Sequence, residues 1–140
     1  MDGRSYAIKR FPFAMCEEEH AYNDIVLSAR VRSHGGFLKL IGCCLEFRYP
    51  VLVFEDLEYR ALNIRGSLGS LDAQVVLPWN VRLKIAKEVA IAITYLHTAF
   101  PRIIIHRDIK PMNVFLDKNG TAKLTDLSLA VTLPEGTEIP

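Results

Sequence analysis

Long hydrophobic runs are missing from this sequence. Half of its 140 residues are hydrophobic, yet no stretch reaches the about 18 apolar residues that a membrane-spanning helix needs, so no direct membrane insertion is expected. A surplus of either charge is missing too, with 17 lysines and arginines against 16 acidic residues and a formal net charge of +1. That balance leaves no electrostatic case for a nucleic-acid partner or an acidic membrane surface. Cysteine is scarce: Cys16, Cys43 and Cys44 form an odd set without metal-ligand spacing. The neighbours Cys43 and Cys44 could close only a strained ring, so a reducing compartment and small buried apolar side chains are expected. The opening Met-Asp-Gly has no glycine in second place and starts no secretory signal, so neither myristoylation nor export is expected. There is no internal repeat and no low-complexity tract. What remains is an ordinary globular composition, long enough for one domain with a real core.

The patterning alternates between strand and helix periods. Residues 5–11 read as a strand, with Tyr6, Ile8 and Arg10 on one face, Ala7 and Lys9 on the other, and Pro12 as its stop. Residues 17–32 predict a helix with an acidic first turn, which suits the positive end of the helix dipole, and an apolar stripe of Ala21, Ile25 and Ala29. Gly35-Gly36 ends that pattern. Residues 37–45 and 51–54 predict an antiparallel pair around Arg48-Tyr49-Pro50. Residues 55–69 turn polar and contain glycine, as a boundary between two lobes would. Residues 79–98 predict the longest helix, following Pro78, with a buried face of Ile85, Val89 and Ile93 flanked by Ala86 and Ala90. Residues 103–105 read as a short buried strand. Residues 114–116 and 122–124 flank Asp117-Lys118-Asn119-Gly120, and Asn-Gly between apolar runs signals a hairpin. The tail, residues 133–140, reads as loose. The order gives an α+β fold rather than a repeated βαβ sheet.

The chemistry concentrates in His106-Arg107-Asp108-Ile109-Lys110-Pro111-Met112-Asn113, followed by the hairpin and Asp126-Leu127-Ser128. Singly these residues have bland roles: His106 a satisfied core histidine, Asp108 a cap, Asp126 a turn residue. Jointly the pattern resembles the catalytic loop and metal-binding Asp of the protein kinases. The resemblance implies that Asp108 accepts the proton of a substrate hydroxyl and that Lys110, a residue of the Ser/Thr type, neutralises charge near the transferred phosphate. Asn113 and Asp126 would hold Mg²⁺, a hard ion suited by oxygen ligands. Tyr6-Ala7-Ile8-Lys9 resembles the family's Val-Ala-Ile-Lys strand, which implies that Lys9 meets the phosphates of ATP and a helix carboxylate. Alignment with the family favours Asp24, where kinases carry Glu; Glu19 is the rival, about 140° away around the helix. Because Asp is shorter, a longer pair or an inward-shifted helix is expected. Residues 40–46 and 51–55, Trp79, Arg82-Leu83, Ile85-Ala86 and Tyr95-Leu96-His97 resemble plant receptor-like kinases, with Phe54 as gatekeeper and Glu55 with the following backbone at adenine.

Residues 111–119 and 133–136 resemble one branch more closely, the plant ZRK-type pseudokinases, cytoplasmic adaptors of NLR immune receptors. The expected architecture is a partial two-lobe kinase fold. Residues 1–56 would give an incomplete N-lobe of sheet plus helix, and residues 57–140 the hinge, long helix, catalytic loop and metal-loop hairpin of the C-lobe. Departures from an active kinase qualify the expected activity. Eight residues before Lys9 are too few for a Gly-rich hairpin, Asp-Phe-Gly has become Asp126-Leu127-Ser128, and no Ala-Pro-Glu segment follows before Pro140. The long helix should then show apolar surface that later helices would cover. The function implied is an inactive adaptor in plant immune signalling that docks an NLR receptor or another kinase, in the cytoplasm and at the plasma membrane only through a partner. The alternative is an ATP-dependent Ser/Thr protein kinase, here a fragment, using ATP and Mg²⁺ where the site is retained.

Overall fold

The computed structural model describes residues 3–12, 17–56, 60–70, 72–73 and 75–136. Strand β1 (Tyr6–Lys9) lies beside β3 (Val51–Glu55), which also pairs with β2 (Leu40–Cys44), all antiparallel in the order β1-β3-β2. Lys9 faces Leu52 across the first ladder, and the second slips register between Leu40 and Gly42. Helix α1 (Glu18–Arg30) packs on this sheet over a small core of Leu38, Leu40, Leu52 and Phe54, with Ala7, Phe11 and Ile25 at its margin.

The second half is organised by α2 (Trp79–Thr98). Strands β6 (Val114–Leu116) and β7 (Ala122–Leu124) form the expected hairpin. Asp117 builds its turn by accepting the N–H groups of Asn119 and Thr121 on Oδ1, both at 2.9 Å, and Gly120 takes the φ of 73° that a side chain would resist. Glu88 on α2 accepts the N–H of Ala122 at 2.8 Å and pairs with Lys84, whose ammonium also reaches the carbonyl of Gly120. Helix and hairpin are therefore joined by polar contacts around a core of Ile85, Ala92, Leu96, Ile104, Val114 and Leu124. The halves meet where the segment after α1 joins β7: Leu124 N–H donates to Gly36 at 2.8 Å, and Leu38 N–H to Leu124 at 3.1 Å. His34 stacks on Tyr95 of α2 at 4.2 Å between ring centres.

Several expectations change. The first strand and first helix are shorter than the patterning suggested. Ala29 is exposed, and the buried face of α1 runs instead through Ala21, Asp24, Leu27 and Ser28, because Asp24 and Ser28 find polar partners inside. On α2, Ala86 and Ala90 face outward, while Ile85, Ala92 and Leu96 are buried. Trp79, Leu83 and Ile91 are exposed. Cys43 is exposed and Cys44 half-buried, so neither is a core residue; Cys16 lies outside the described residues. The boundary segment contributes β4 (Arg60–Ala61), paired with β6, and residues 57–59 of that segment are outside the description. Strand β5 (Ile104–Ile105) pairs with β8 (Val131–Thr132), and Leu133 N–H donates to Ile103 at 2.9 Å. The tail is tied down this far; residues 137–140 are not described. Among the described residues no helix is long and apolar enough to cross a membrane.

Leu96, fully buried beside Ile104 in this core, should cost about 2–5 kcal/mol when replaced by alanine. Ile91→Ala on the exposed side of the same helix should cost well under about 1 kcal/mol. Urea unfolding of the two variants measures the difference.

Candidate active site

The first side of the site is a buried carboxylate. Asp24 has no exposed surface, and α1 points it at three donors. Lys9 Nζ lies 2.5 Å from Oδ2, while Ser28 Oγ and the N–H of Leu127 donate to Oδ1, each at 3.0 Å. A carboxylate removed from water is tolerable only when its lone pairs are satisfied in this way. The contact with Lys9 is direct, so the shorter side chain lengthens nothing. Glu19 lines a different cleft on α1, near Arg107, and makes no ion pair with Lys9. The alternative left open by the sequence is thus decided for Asp24.

Lys9 also lies 3.2 Å from Asp126 Oδ1, so one ammonium joins β1, α1 and the segment after β7. Burial pushes the Asp126 carboxyl up, but Lys9 and the hydrogen bonds from Ser128 outweigh it, and its pKa falls below the ordinary 3.8. Two residues hold this segment, Ser128, which the sequence marked only as a departure from Asp-Phe-Gly, and Asn23, which sequence reasoning missed. Ser128 donates to Asp126 Oδ1 from its hydroxyl at 2.5 Å and from its N–H at 3.2 Å. Asn23 turns its amide nitrogen to the carbonyls of Leu127, Ser128 and Ala130, at 3.2, 3.0 and 2.8 Å. Its place beside Asp24 was the one sequence signal for it. Leu127 is buried.

The second side is the loop from His106 to Asn113. His106 is buried; its Nε2–H donates to Thr125 O at 2.9 Å, and Nδ1 accepts the N–H of Asp108 at 3.2 Å. Those two bonds select the neutral tautomer. Burial lowers its pKa and outweighs the opposing hydrogen bond to Thr125 and the nearby carboxylates. Asp108 Oδ2 is held by Lys110 at 2.9 Å and by Asn113 Nδ2 at 2.9 Å; Asn113 also donates to the Asp108 carbonyl. Asp108 Oδ1 and the amide oxygen of Asn113 keep no hydrogen-bond partner among the described residues. Arg107 and Asp126 sit at φ of 70° and 62°, a left-handed conformation that costs a non-glycine residue energy and here brackets the site.

Between the sides lies a cleft of about 410 Å³. Ala7, Leu38, Phe54 and Phe115 make it apolar, and Lys9, Asn113 and Asp126 give it one polar end. Glu55 does not line this cleft; it lines another with Arg32, Lys39 and Lys123, and its N–H donates to Lys39 O at 3.0 Å. Among the described residues no three His, Cys, Asp or Glu side chains could hold a metal by themselves. Mg²⁺ binds through one or two protein oxygens together with phosphate oxygens and water. The oxygens of Asn113 and Asp126 beside the Lys9 ammonium fit that requirement.

The protein kinase domain family matches residues 1–139, and the chain belongs to that family. In sequence it is 59% identical to the serine/threonine-protein kinase ZRK1 of Arabidopsis thaliana, over 97% of this chain and 40% of the relative. It is 55% identical to the non-functional pseudokinase ZRK2 of the same plant, over 97% of this chain and 39% of the relative. The non-functional pseudokinase ZED1, also from Arabidopsis thaliana, is 57% identical over 83% of this chain and 34% of its own length. The chain thus spans two fifths or less of these relatives, whose names divide between kinase and pseudokinase.

Lys9→Met leaves the buried Asp24 carboxylate without its cation and should cost about 3 kcal/mol in urea unfolding, whereas Glu19→Gln should change stability by less than about 0.5 kcal/mol. Acid should also destabilise the chain. His106 and His34 both have pKa values lowered from 6.5, chiefly by burial, so the unfolded chain binds their protons more readily. Their contribution is complete above about pH 6.5 and declines as pH falls below it. Unfolding midpoints across pH 5–7.5 should show this slope, and His106→Gln should flatten it.

Proposed function

We propose that this chain is a pseudokinase of the protein kinase family that serves as an adaptor, presenting a kinase-like surface to an NLR immune receptor or another kinase. One observation carries the reading: Lys9, Asp24, Asp126 and the Leu127 backbone satisfy one another through direct contacts. A surface so fixed by its own side chains suits docking, because little is left for nucleotide to organise. The replacement of Asp-Phe-Gly by Asp126-Leu127-Ser128 and the pseudokinase names of two similar relatives support it. The proposed setting is the cytoplasm, with the plasma membrane reached through the partner.

The retained catalytic loop favours a second reading, an ATP-dependent Ser/Thr kinase. In it Lys9, oriented by Asp24, would meet the phosphates and the Glu55 backbone would lie at adenine. Asn113 and Asp126 would hold Mg²⁺, which when bound neutralises charge on the phosphate oxygens. Asp108 would take the hydroxyl proton, its orientation set by Asn113 and Lys110 through Oδ2.

Phosphate transfer from labelled ATP and co-purification with an NLR receptor separate the two. The adaptor predicts no transfer above background and receptor capture that survives Asp108→Ala. Transfer abolished by Asp108→Ala would establish the enzyme, and failure to bind any such receptor would remove the adaptor.

A further inference from the structure

Asp126 Oδ1 is crowded. Ser128 Oγ donates to it at 2.5 Å, Ser128 N–H at 3.2 Å, and Lys9 Nζ lies 3.2 Å away. Three donors converge on an oxygen with two lone pairs. Ser128 is 7% exposed, so water competes weakly for its hydroxyl, and its carbonyl is anchored to α1 through Asn23 at 3.0 Å. Oδ2 has no hydrogen-bond partner among the described residues.

We propose that Ser128 is a positioning residue that closes Oδ1 of Asp126 to a divalent cation, so that nucleotide in the cleft gains little affinity from Mg²⁺. The inference rests on reading the cleft as a nucleotide site. A glycine at this position could give the N–H but not the hydroxyl. The hydroxyl both occupies the oxygen and withdraws charge from it, while Mg²⁺ demands strict octahedral geometry and gives up its water reluctantly. Only the monodentate approach through Oδ2 is left. The closest donor is a single side-chain rotor, while the two that remain lie at 3.2 Å and hold Oδ1 less tightly, so Ser128→Ala should lift the block.

Calorimetric titration of the full chain with ATP, in EDTA and in Mg²⁺, tests this. The wild-type chain should bind ATP with nearly equal affinity in the two conditions. Ser128→Ala should raise the Mg²⁺-dependent gain at least about tenfold, the equivalent of one charge-assisted hydrogen bond, with the EDTA affinity unchanged. Adding Asp126→Asn to that variant should abolish the gain. Ser128→Gly supplies a second variant, and thermal unfolding without ligand shows that each is folded. An equal Mg²⁺ dependence in wild type and variants would overturn the inference, as would a rise in affinity that is the same in EDTA. Absence of ATP binding by every folded variant in both conditions would overturn the nucleotide-site reading itself.

Discussion

The burial of one carboxylate constrains most of what surrounds it. Asp24 has no exposed surface, and an unpaired charge in that position would cost several kcal/mol, roughly half of a small domain's net stability or more. The fold answers with contributions from three places: Lys9 from β1, Ser28 from the next turn of α1 and the Leu127 N–H from beyond β7, while Lys9 also meets a second carboxylate, Asp126, on its far side. None of these can move alone. If α1 swings outward, Asp24 loses Lys9 and Leu127 together, and Lys9 is left with Asp126 alone. The geometry of the candidate site therefore follows from a stability requirement as much as from chemistry. This explains how a chain without Asp-Phe-Gly can keep a kinase-like arrangement around its cleft.

The second half of the chain obeys a similar constraint through different groups. Glu88 on α2 and the Gly36 carbonyl after α1 approach β7 from different elements and accept the N–H groups of Ala122 and Leu124. The hairpin is thereby fixed against the long helix and against the first sheet at once. Thr125, which continues from β7, holds His106, and Nδ1 of that imidazole holds the N–H of Asp108. The line from α2 through the hairpin to Asp108 contains no long flexible side chain except Glu88, which Lys84 restrains. Acid sensitivity and catalytic-loop geometry meet at His106, since protonating Nδ1 removes the acceptor that the Asp108 backbone uses.

Much of this was legible in the sequence where a local rule operated. The long helix has the bounds its pattern suggested, and the hairpin follows from the turn chemistry of Asp117, Asn119 and Gly120. The α+β class and the kinase family follow from such elements and from the loop motif. What could not be read depended on distant partners. Strands β4 and β8 have two residues each, too short for any period, and exist because Phe115-Leu116 and Ile104-Ile105 offer them edges. The buried face of α1 was misplaced onto Ala29 because an apolar count ignores Asp24 and Ser28, which are inside only by virtue of Lys9 and Leu127.

Ser128 is the instructive case. By sequence it counts as a lost glycine, and a side chain in place of glycine is ordinarily read as a backbone penalty. In the structure the strained left-handed backbone belongs instead to Arg107 and Asp126, at φ of 70° and 62°, and the consequence of serine lies in its hydroxyl. A substitution that looks like damage to a turn is, at atomic level, a new donor on the one carboxylate that faces the cleft beside Lys9. The intact loop of Asp108, Lys110 and Asn113 then needs no separate explanation. Those residues hold one another, Asn113 through two bonds to Asp108 and Lys110 through one, so they have a structural reason to be where they are whether or not phosphate is ever transferred.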